Sequence, residues 1–212
     1  MESPLRCALP LSDDFRLIET LRGEAGGFVR LPAHLARLAR GAARLGIPLD
    51  HARVMAALAP HAGPGPLRIR LTLAPDGAVE ATAAPLVPDR APWALAIAVP
   101  RLRADDPWLN LKSSRRPIHD AVRAALGPGI DEAILLNERD EICEGTITTV
   151  FADLGDGLVT PPLAAGCLPG VLRAELLARG QAREAPLRPA DLGAGRLWVG
   201  NALRGLIPAR LV

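Results

Sequence analysis

The chain has 212 residues, a formal net charge of +2 and 49% hydrophobic residues, enough for one large domain or two small ones with cores of their own. Acids and bases are interspersed, aromatic residues make up 3% and tyrosine is absent, which excludes the basic face and the stacking platforms of a nucleic-acid binder. No run is long and apolar enough to span a bilayer, and "MESPLRCALPLSDD" lacks a signal-peptide apolar core, so a cytoplasmic protein with no membrane contact is expected.

Along the chain, "DDFRLIETLRGEAGGFVRLPAHLARLARGAARLGIPLD" reads as strand, turn, strand, helix. The first strand is expected near Phe15 to Leu21, a second at "FVRL", and Pro32 suits the first turn of a helix. Leu35, Leu38, Ala42 and Leu45 recur at helical spacing, and Gly46 ends the run. "HARVMAALAPHAG" is a second, shorter helix. In "PLRIRLTLAPDGAVEATAAPL", Arg68, Arg70 and Thr72 alternate with Ile69, Leu71 and Leu73, and "APDG" supplies the hairpin turn. Residues 1–90 thus form a small α+β domain, 88–93 a linker, and 94–212 a larger, strand-rich domain.

The second domain opens with a strand at "WALAIAVPRL" and a loop at "DDPWLNLKSSRRP". A helix follows at "IHDAVRAAL". "DEAILLNERDEICEGTITTVFADLGDGLVTPP" predicts a strand, a turn, one long strand, a turn and a short strand. "LPGVLRAELLARG" starts a helix after Pro169-Gly170, "LRPADLGAG" is a helical turn, and "RLWVGNALRGLIPARLV" gives the last two strands. Cys7, Cys143 and Cys167 are odd in number and far apart, with no paired metal spacing, so reduced cysteines and no metal are expected.

Lysine and arginine together number 25, and Lys112 is the only lysine. Arginine stays protonated and is a poor nucleophile, whereas a lysine beside other cations, here Arg115 and Arg116, can lose its proton and attack a carbonyl. By itself the stretch fits either a Schiff-base lysine or a solvated loop in an arginine-rich sequence. Three further features add to it. Glu144 lies among apolar residues, and a buried acid needs partners. "LPGV" opens a helix at Gly170-Val171, where free backbone N–H groups and the helix dipole favour an anion. Asn201 follows Gly200 at the end of a strand.

These segments, in order from Phe15 to Val212, resemble the class IV, fold-type IV pyridoxal-phosphate enzymes. That family includes branched-chain and D-amino-acid aminotransferases and 4-amino-4-deoxychorismate lyase. "FRLIETLR" is similar to its first-strand signature, "HLARLARGAARLGIP" to its H-x-x-R-L helix, and "DEAILLNERDEICEGTITTVF" to its strand pair ending in a glutamate. "LVTPPLAAGCLPGVLRAELLARG" looks like its TP and LPG-(V/I)-x-R segment, and "VGNALRGLIPARL" like the closing stretch of the lyase branch. The resemblance implies an α/β (α+β) two-domain fold, with a small α+β N-terminal domain and a larger strand-rich pseudo-barrel domain. It implies pyridoxal 5'-phosphate as cofactor, Lys112 as the Schiff-base lysine and Glu144, 32 residues later, as the acid facing the pyridine nitrogen. Arg37 matches the phosphate-binding arginine, Gly170 and Val171 the helix start that cups the phosphate, and Asn201 a polar phosphate or loop contact.

The sequence departs from the family in having Thr149 where many members have Asn, in lacking tyrosine, and in reaching Phe15 without the usual preceding strand pair. Its "KSSRRPIHD" resembles the lyase-type loop. The resemblance therefore implies an aminodeoxychorismate lyase of folate synthesis acting on an amine that bears carboxylates. An aminotransferase on the same cofactor is the alternative, and intact Lys112, Glu144 and Arg37 argue against a non-catalytic scaffold. Arg70 and Arg204, with Arg22 weaker, are the candidate carboxylate contacts, and a homodimer with the cofactor between the domains is expected.

Overall fold

The computed structural model describes residues 11–88, 90–193 and 195–212, and Cys7 lies outside them. The chain divides into two compact units. The first comprises residues 1–88 together with Leu111–Arg115, and the second comprises residues 89–110 and 116–212. The five residues around Lys112 therefore group with the first unit, although the sequence reading assigned them to the second.

The first unit is a four-stranded antiparallel sheet with two helices. Its elements are β1 (Leu17–Glu24), β2 (Gly27–Phe28), α1 (Leu31–Leu45), α2 (His51–Leu58), β3 (Leu67–Leu73) and β4 (Val79–Pro85), with strand order β2-β1-β3-β4. The second strand is shorter than "FVRL" because Arg30 turns at a φ of 59° to enter α1. Gly46, at a φ of 70°, closes α1 with N–H bonds to the carbonyls of Ala42 and Ala43. The Asp50 side chain caps α2 by accepting from the N–H groups of Ala52 and Arg53. Register places Leu17, Glu19 and Leu21 opposite Leu73, Leu71 and Ile69, so they share one face. That face is buried, and α1 packs on it with His34, Arg37, Leu38, Gly41 and Ala42 rather than with the leucine stripe expected from periodicity. Leu35 and Leu45 are only half-buried.

The second unit carries β5 (Trp93–Leu102), α3 (Pro117–Ala124), β6 (Glu132–Asn137), β7 (Ile142–Gly145), β8 (Thr149–Asp153), β9 (Leu158–Thr160), α4 (Val171–Ala178), β10 (Ala182–Glu184), α5 (Pro189–Leu192), β11 (Arg196–Asn201) and β12 (Gly205–Leu211). Its eight strands run in the order β10-β9-β8-β11-β12-β5-β6-β7. The edge strand β7 is followed in sequence by β8, five places away in that order, and Gly145 N–H bonds to Thr148 O across the turn between them. The sheet must curl to bring these strands together, which accounts for its barrel-like form. The single long strand read over "EICEGTITTVF" is thus two strands broken at Thr146–Thr148, and the break sits where the site residues lie. β10 carried no usable sequence signal: it is three residues long and pairs parallel to β9. Inside the curl Leu95, Ile134, Leu136, Ile142, Val150 and Val199 form the core. Among the described residues no helix is long and apolar enough to cross a membrane.

Candidate active site

Lys112 is held by its backbone rather than lying in a slack loop. Its carbonyl accepts the Ile18 N–H at 2.8 Å, Leu17 bridges to Ser113, and Ser114 N–H donates to Arg16 O at 2.8 Å. The segment behaves as a one-bridge extension of the sheet beside the start of β1. The flanking residues Leu111 and Ser113 are buried while Lys112 itself is half-buried, so the segment is anchored on both sides of the lysine. A Cβ at Gly41 would lie 3.7 Å from Leu111 Cδ2, which shows how closely the segment sits on α1.

On the same unit Glu19 points into the leucine face of β1 and is 1% exposed. Such an acid must be compensated. Arg37 Nε donates to Oε1 at 2.8 Å and Nη2 to Oε2 at 2.6 Å, while His34 Nδ1 lies 2.6 Å from Oε2. Burial pushes the Glu19 carboxyl up, but the Arg37 guanidinium and the His34 ring bring it to a net value below the usual carboxylate range. His34 Nε2 is buried without a partner among the described residues, so Nδ1 is the nitrogen that carries the proton toward Glu19. Arg37, expected to meet a phosphate, therefore has one edge committed to Glu19, and that bond fixes the plane of its guanidinium. Sequence reasoning quoted both segments without seeing this triad. The charged residue in the middle of an apolar strand was the available signal.

Glu144 ends β7 and is 8% exposed. Its Oε1 is 2.9 Å from His119 Nε2 on α3, and its Oε2 accepts the Leu168 N–H at 3.0 Å. The acid is thereby tied to the LPG segment three residues before the start of α4. Burial, and then the nearby Glu144 charge, push the Cys167 thiol up to about 12 and the Cys143 thiol higher still, so both stay protonated.

The turn after Glu144 is pinned by a second acid that sequence reasoning missed as a site residue. Glu132, on β6, is fully buried, and its carboxylate accepts from Thr146 N–H at 2.9 Å, Ile147 N–H at 3.0 Å, Thr148 Oγ1 at 3.0 Å and the Thr146 hydroxyl. A Cβ on Gly145 would fall 2.9 Å from Glu132 Oε2 and would collide with Thr148 Oγ1, so only glycine lets β7 pass the carboxylate. Arg116 Nη2 donates to Thr146 O at 2.6 Å, and Arg123 Nη1 reaches Thr146 Oγ1 at 3.1 Å, which fastens α3 to the same turn.

The start of α4 lies beside this turn. Gly170 precedes Val171 with extended backbone, and a Cβ on Gly170 would sit 2.9 Å from Thr149 Oγ1. Thr149 pairs with Gly200 across β8 and β11, and Gly200 has no room for a Cβ against Gly205 O and Leu172 Cδ2. Asn201 Nδ2 donates to Ile147 O at 3.3 Å, and its Oδ1 accepts the N–H groups of Leu203 and Arg204. Asn201 thus shapes the β11–β12 turn and touches the pinned turn, so Glu144, Thr149, Gly170, Val171 and Asn201 are gathered in the second unit. Arg173, in the same motif, is buried and bonds Pro161 O at 2.8 Å and the Glu184 carboxylate, which anchors α4.

The candidate substrate arginines are less tightly placed. Arg70 is exposed on β3 between Thr20 and Thr82. Arg22 pairs with Glu24 at 2.7 Å. Arg204 is half-buried, with its guanidinium 5.9 Å from the Trp93 ring centre.

The second unit fits pyridoxal 5'-phosphate on its own geometry. It has an acid with one donor on each oxygen, and a helix start whose first N–H groups lack intrahelical partners and whose Gly170 lets it pack closely on Thr149. The family model for amino-transferase class IV matches residues 16–212. A comparison with curated proteins returns no match. Among solved structures, a provisionally assigned amino-acid aminotransferase of Mesorhizobium loti is 48% identical, with a TM-score of 0.90 over 94% of this chain and 100% of that one. The 4-amino-4-deoxychorismate lyase of Pseudomonas aeruginosa is 27% identical, with a TM-score of 0.76 over 96% and 88% of the two chains. A hypothetical aminotransferase of Mycobacterium tuberculosis in its PLP-bound form shares the fold at 23% identity, with a TM-score of 0.79 over 97% and 86%. With its curled, strand-rich sheet and few helices, this chain has the fold-type IV architecture and belongs to the class IV aminotransferase family.

Proposed function

We propose that the protein is a pyridoxal-phosphate-dependent lyase that converts 4-amino-4-deoxychorismate to 4-aminobenzoate and pyruvate. The observation that carries the cofactor reading is the Glu144 carboxylate, buried and held from both oxygens, one of them by Leu168 N–H three residues before the start of α4. Bound pyridoxal phosphate would supply an electron sink, which works when its ring nitrogen is protonated. Glu144 would hold that proton in place. The N–H groups at Val171, and the Arg37 and Asn201 side chains, are proposed to bind the phosphate dianion. Lys112 Nζ would hold the cofactor, and is the base proposed to take the proton from the ring carbon that bears the substrate amine. Loss of that proton and departure of the enolpyruvyl oxygen leave an aromatic ring. The enolpyruvate gains a proton to become pyruvate. Arg70 and Arg204 are proposed to meet the substrate carboxylates.

The lyase-type "KSSRRPIHD" and "NALRGLIPARL" segments and the absence of tyrosine support the lyase over a transaminase. A second reading, an amino-acid aminotransferase, is favoured by the name of the 48% identical relative. There Lys112 would move the proton from the α-carbon of the amino acid to the cofactor. The deciding experiment supplies aminodeoxychorismate without any keto acid. Release of pyruvate and 4-aminobenzoate supports the lyase. Turnover that appears only with an amino acid and a keto acid overturns it. The working unit is proposed to be a cytoplasmic homodimer.

A further inference from the structure

We propose that His119 is the positioning residue that donates to Glu144 and keeps its carboxylate aligned, a role that rests on reading Glu144 as the partner of the cofactor's ring nitrogen. His119 is 7% exposed on α3, and its Nε2 stands 2.9 Å from Glu144 Oε1. Only one proton arrangement serves the acid. If the ring carries its proton on Nε2, it donates to an ionised carboxylate. If Nε2 is bare, its lone pair faces Oε1, and the contact is favourable only when Glu144 is itself protonated. A protonated Glu144 spends its hydrogen on His119 and is a weaker acceptor for a ring N–H. A buried carboxylate needs donors on its oxygens. Leu168 N–H supplies one, at 3.0 Å to Oε2, and His119 supplies the other. Each oxygen keeps a lone pair.

The helix is built to hold the ring there. Arg116, three residues before His119, bonds Thr146 O at 2.6 Å, and Arg123, four residues after it, reaches Thr146 Oγ1 at 3.1 Å. Arg123 shares a face of α3 with His119, and Arg116 is the residue just before the helix. Both arginines grip the turn that follows Glu144, so the spacing between α3 and β7 is fixed on either side of the ring. Glu132 does not compete for His119, because its carboxylate is already occupied by the Thr146, Ile147 and Thr148 donors. An ordinary packing histidine would need none of this alignment.

The test has two arms on the full chain. In the cofactor-free protein, nitrogen NMR of labelled histidine should show the Nε2 of His119 as protonated, the signal being assigned by its loss in His119→Gln. A bare Nε2 overturns the proposal whatever the protein binds. In the second arm, wild type, His119→Gln and His119→Leu are titrated with pyridoxal 5'-phosphate, with thermal melts to confirm folding. Gln can still present an N–H, so its bound-cofactor absorption maximum should match wild type. Leu cannot, so its maximum should move and its cofactor affinity should fall about tenfold, the lower end of losses seen when a supporting hydrogen bond to a site ligand is removed. A folded Leu variant that matches wild type in both readouts overturns the role of His119 alone. A wild-type protein that takes up no cofactor overturns the reading of the site, whereas the NMR arm still decides the His119–Glu144 bond.

Discussion

Arg37 and Glu19 meet edge to edge under α1, with Nε 2.8 Å from Oε1 and Nη2 2.6 Å from Oε2. The pair is nearly dry, since Glu19 is 1% and Arg37 8% exposed. Removing one partner of such a pair leaves an uncompensated charge in the core and costs about 3–5 kcal/mol. Glu19→Ala should therefore lower stability by that order in urea unfolding. The pH dependence follows from its direction of shift. The folded carboxyl lies below its ordinary value, because Arg37 and His34 outweigh the burial that pushes it up. The contribution of the ionised pair is thus fully present above the unfolded carboxylate value of about 4.3 and is lost as pH falls through the lowered folded value. Urea midpoints of wild type should fall on acidification below about pH 4, and Glu19→Gln should flatten that limb. Equal acid limbs would show that Glu19 is not the titrating group.

Glu132 makes a second prediction about the turn after Glu144. In Glu132→Gln one oxygen becomes an NH2, which then faces donors that it cannot accept from. An unsatisfied buried group costs about 1–3 kcal/mol, so the thermal midpoint should fall. Gly145→Ala forces a methyl against the Glu132 carboxylate and Thr148, an overpacking of about 1–3 kcal/mol. Because both changes strain the same turn, the double variant should lose less than the sum of the two. Additive losses would separate Gly145 from the Glu132 network.

Much of this was legible in the sequence, for reasons that differ by element. The β3–β4 hairpin could be read because Arg68, Arg70 and Thr72 alternate with buried Ile69, Leu71 and Leu73 around "APDG". The helix at Leu31–Leu45 could be read, but its buried face could not, because His34 and Arg37 count as polar until Glu19 is known to lie beneath them. The break at Thr146–Thr148 was hidden because "TITT" has strand composition, and only the distant Glu132 turns its backbone away. His119 stood in the quoted loop, but a lone histidine on a helix does not announce its partner 25 residues on.

Lys112 is the third test. Lys112→Ala should leave the fold intact, because the Ile18 N–H bonds to the residue's backbone carbonyl and not to its side chain. Its thermal melt should match wild type while covalent cofactor attachment disappears. Borohydride treatment of the loaded wild type should fix the cofactor to the peptide that contains Lys112, and labelling elsewhere would refute the assignment.

The proposed homodimer has a physical motive on β5. Val99 is 89% and Ile97 38% exposed, and they project from the same face of one strand. A two-fold pairing is the commonest way to cover such a surface. Light scattering over a dilution series should report twice the chain mass, and Val99→Asp should shift the equilibrium toward the single chain. A wild-type monomer at every concentration, with full turnover, would remove the dimer from the account of the site.

Glu144→Gln is the decisive change at the acid. The amide is isosteric, and its oxygen can still accept either the Leu168 N–H or the His119 proton. Folding should therefore survive with a loss of about 1–3 kcal/mol, the order expected when a hydrogen bond to a charged group is removed. The phosphate contacts proposed for Val171 and Arg37 do not involve Glu144, so the cofactor should still bind, with an affinity loss of the same order, about tenfold, as that expected of His119→Leu. A neutral amide cannot hold a proton on the ring nitrogen as a carboxylate does. The loss should therefore appear in kcat, by about a hundredfold or more, with KM nearly constant, the pattern of an interaction that matters in the chemical step. The opposite pattern, a raised KM with kcat preserved, would make Glu144 a substrate contact. Wild-type values of both would remove it from the site.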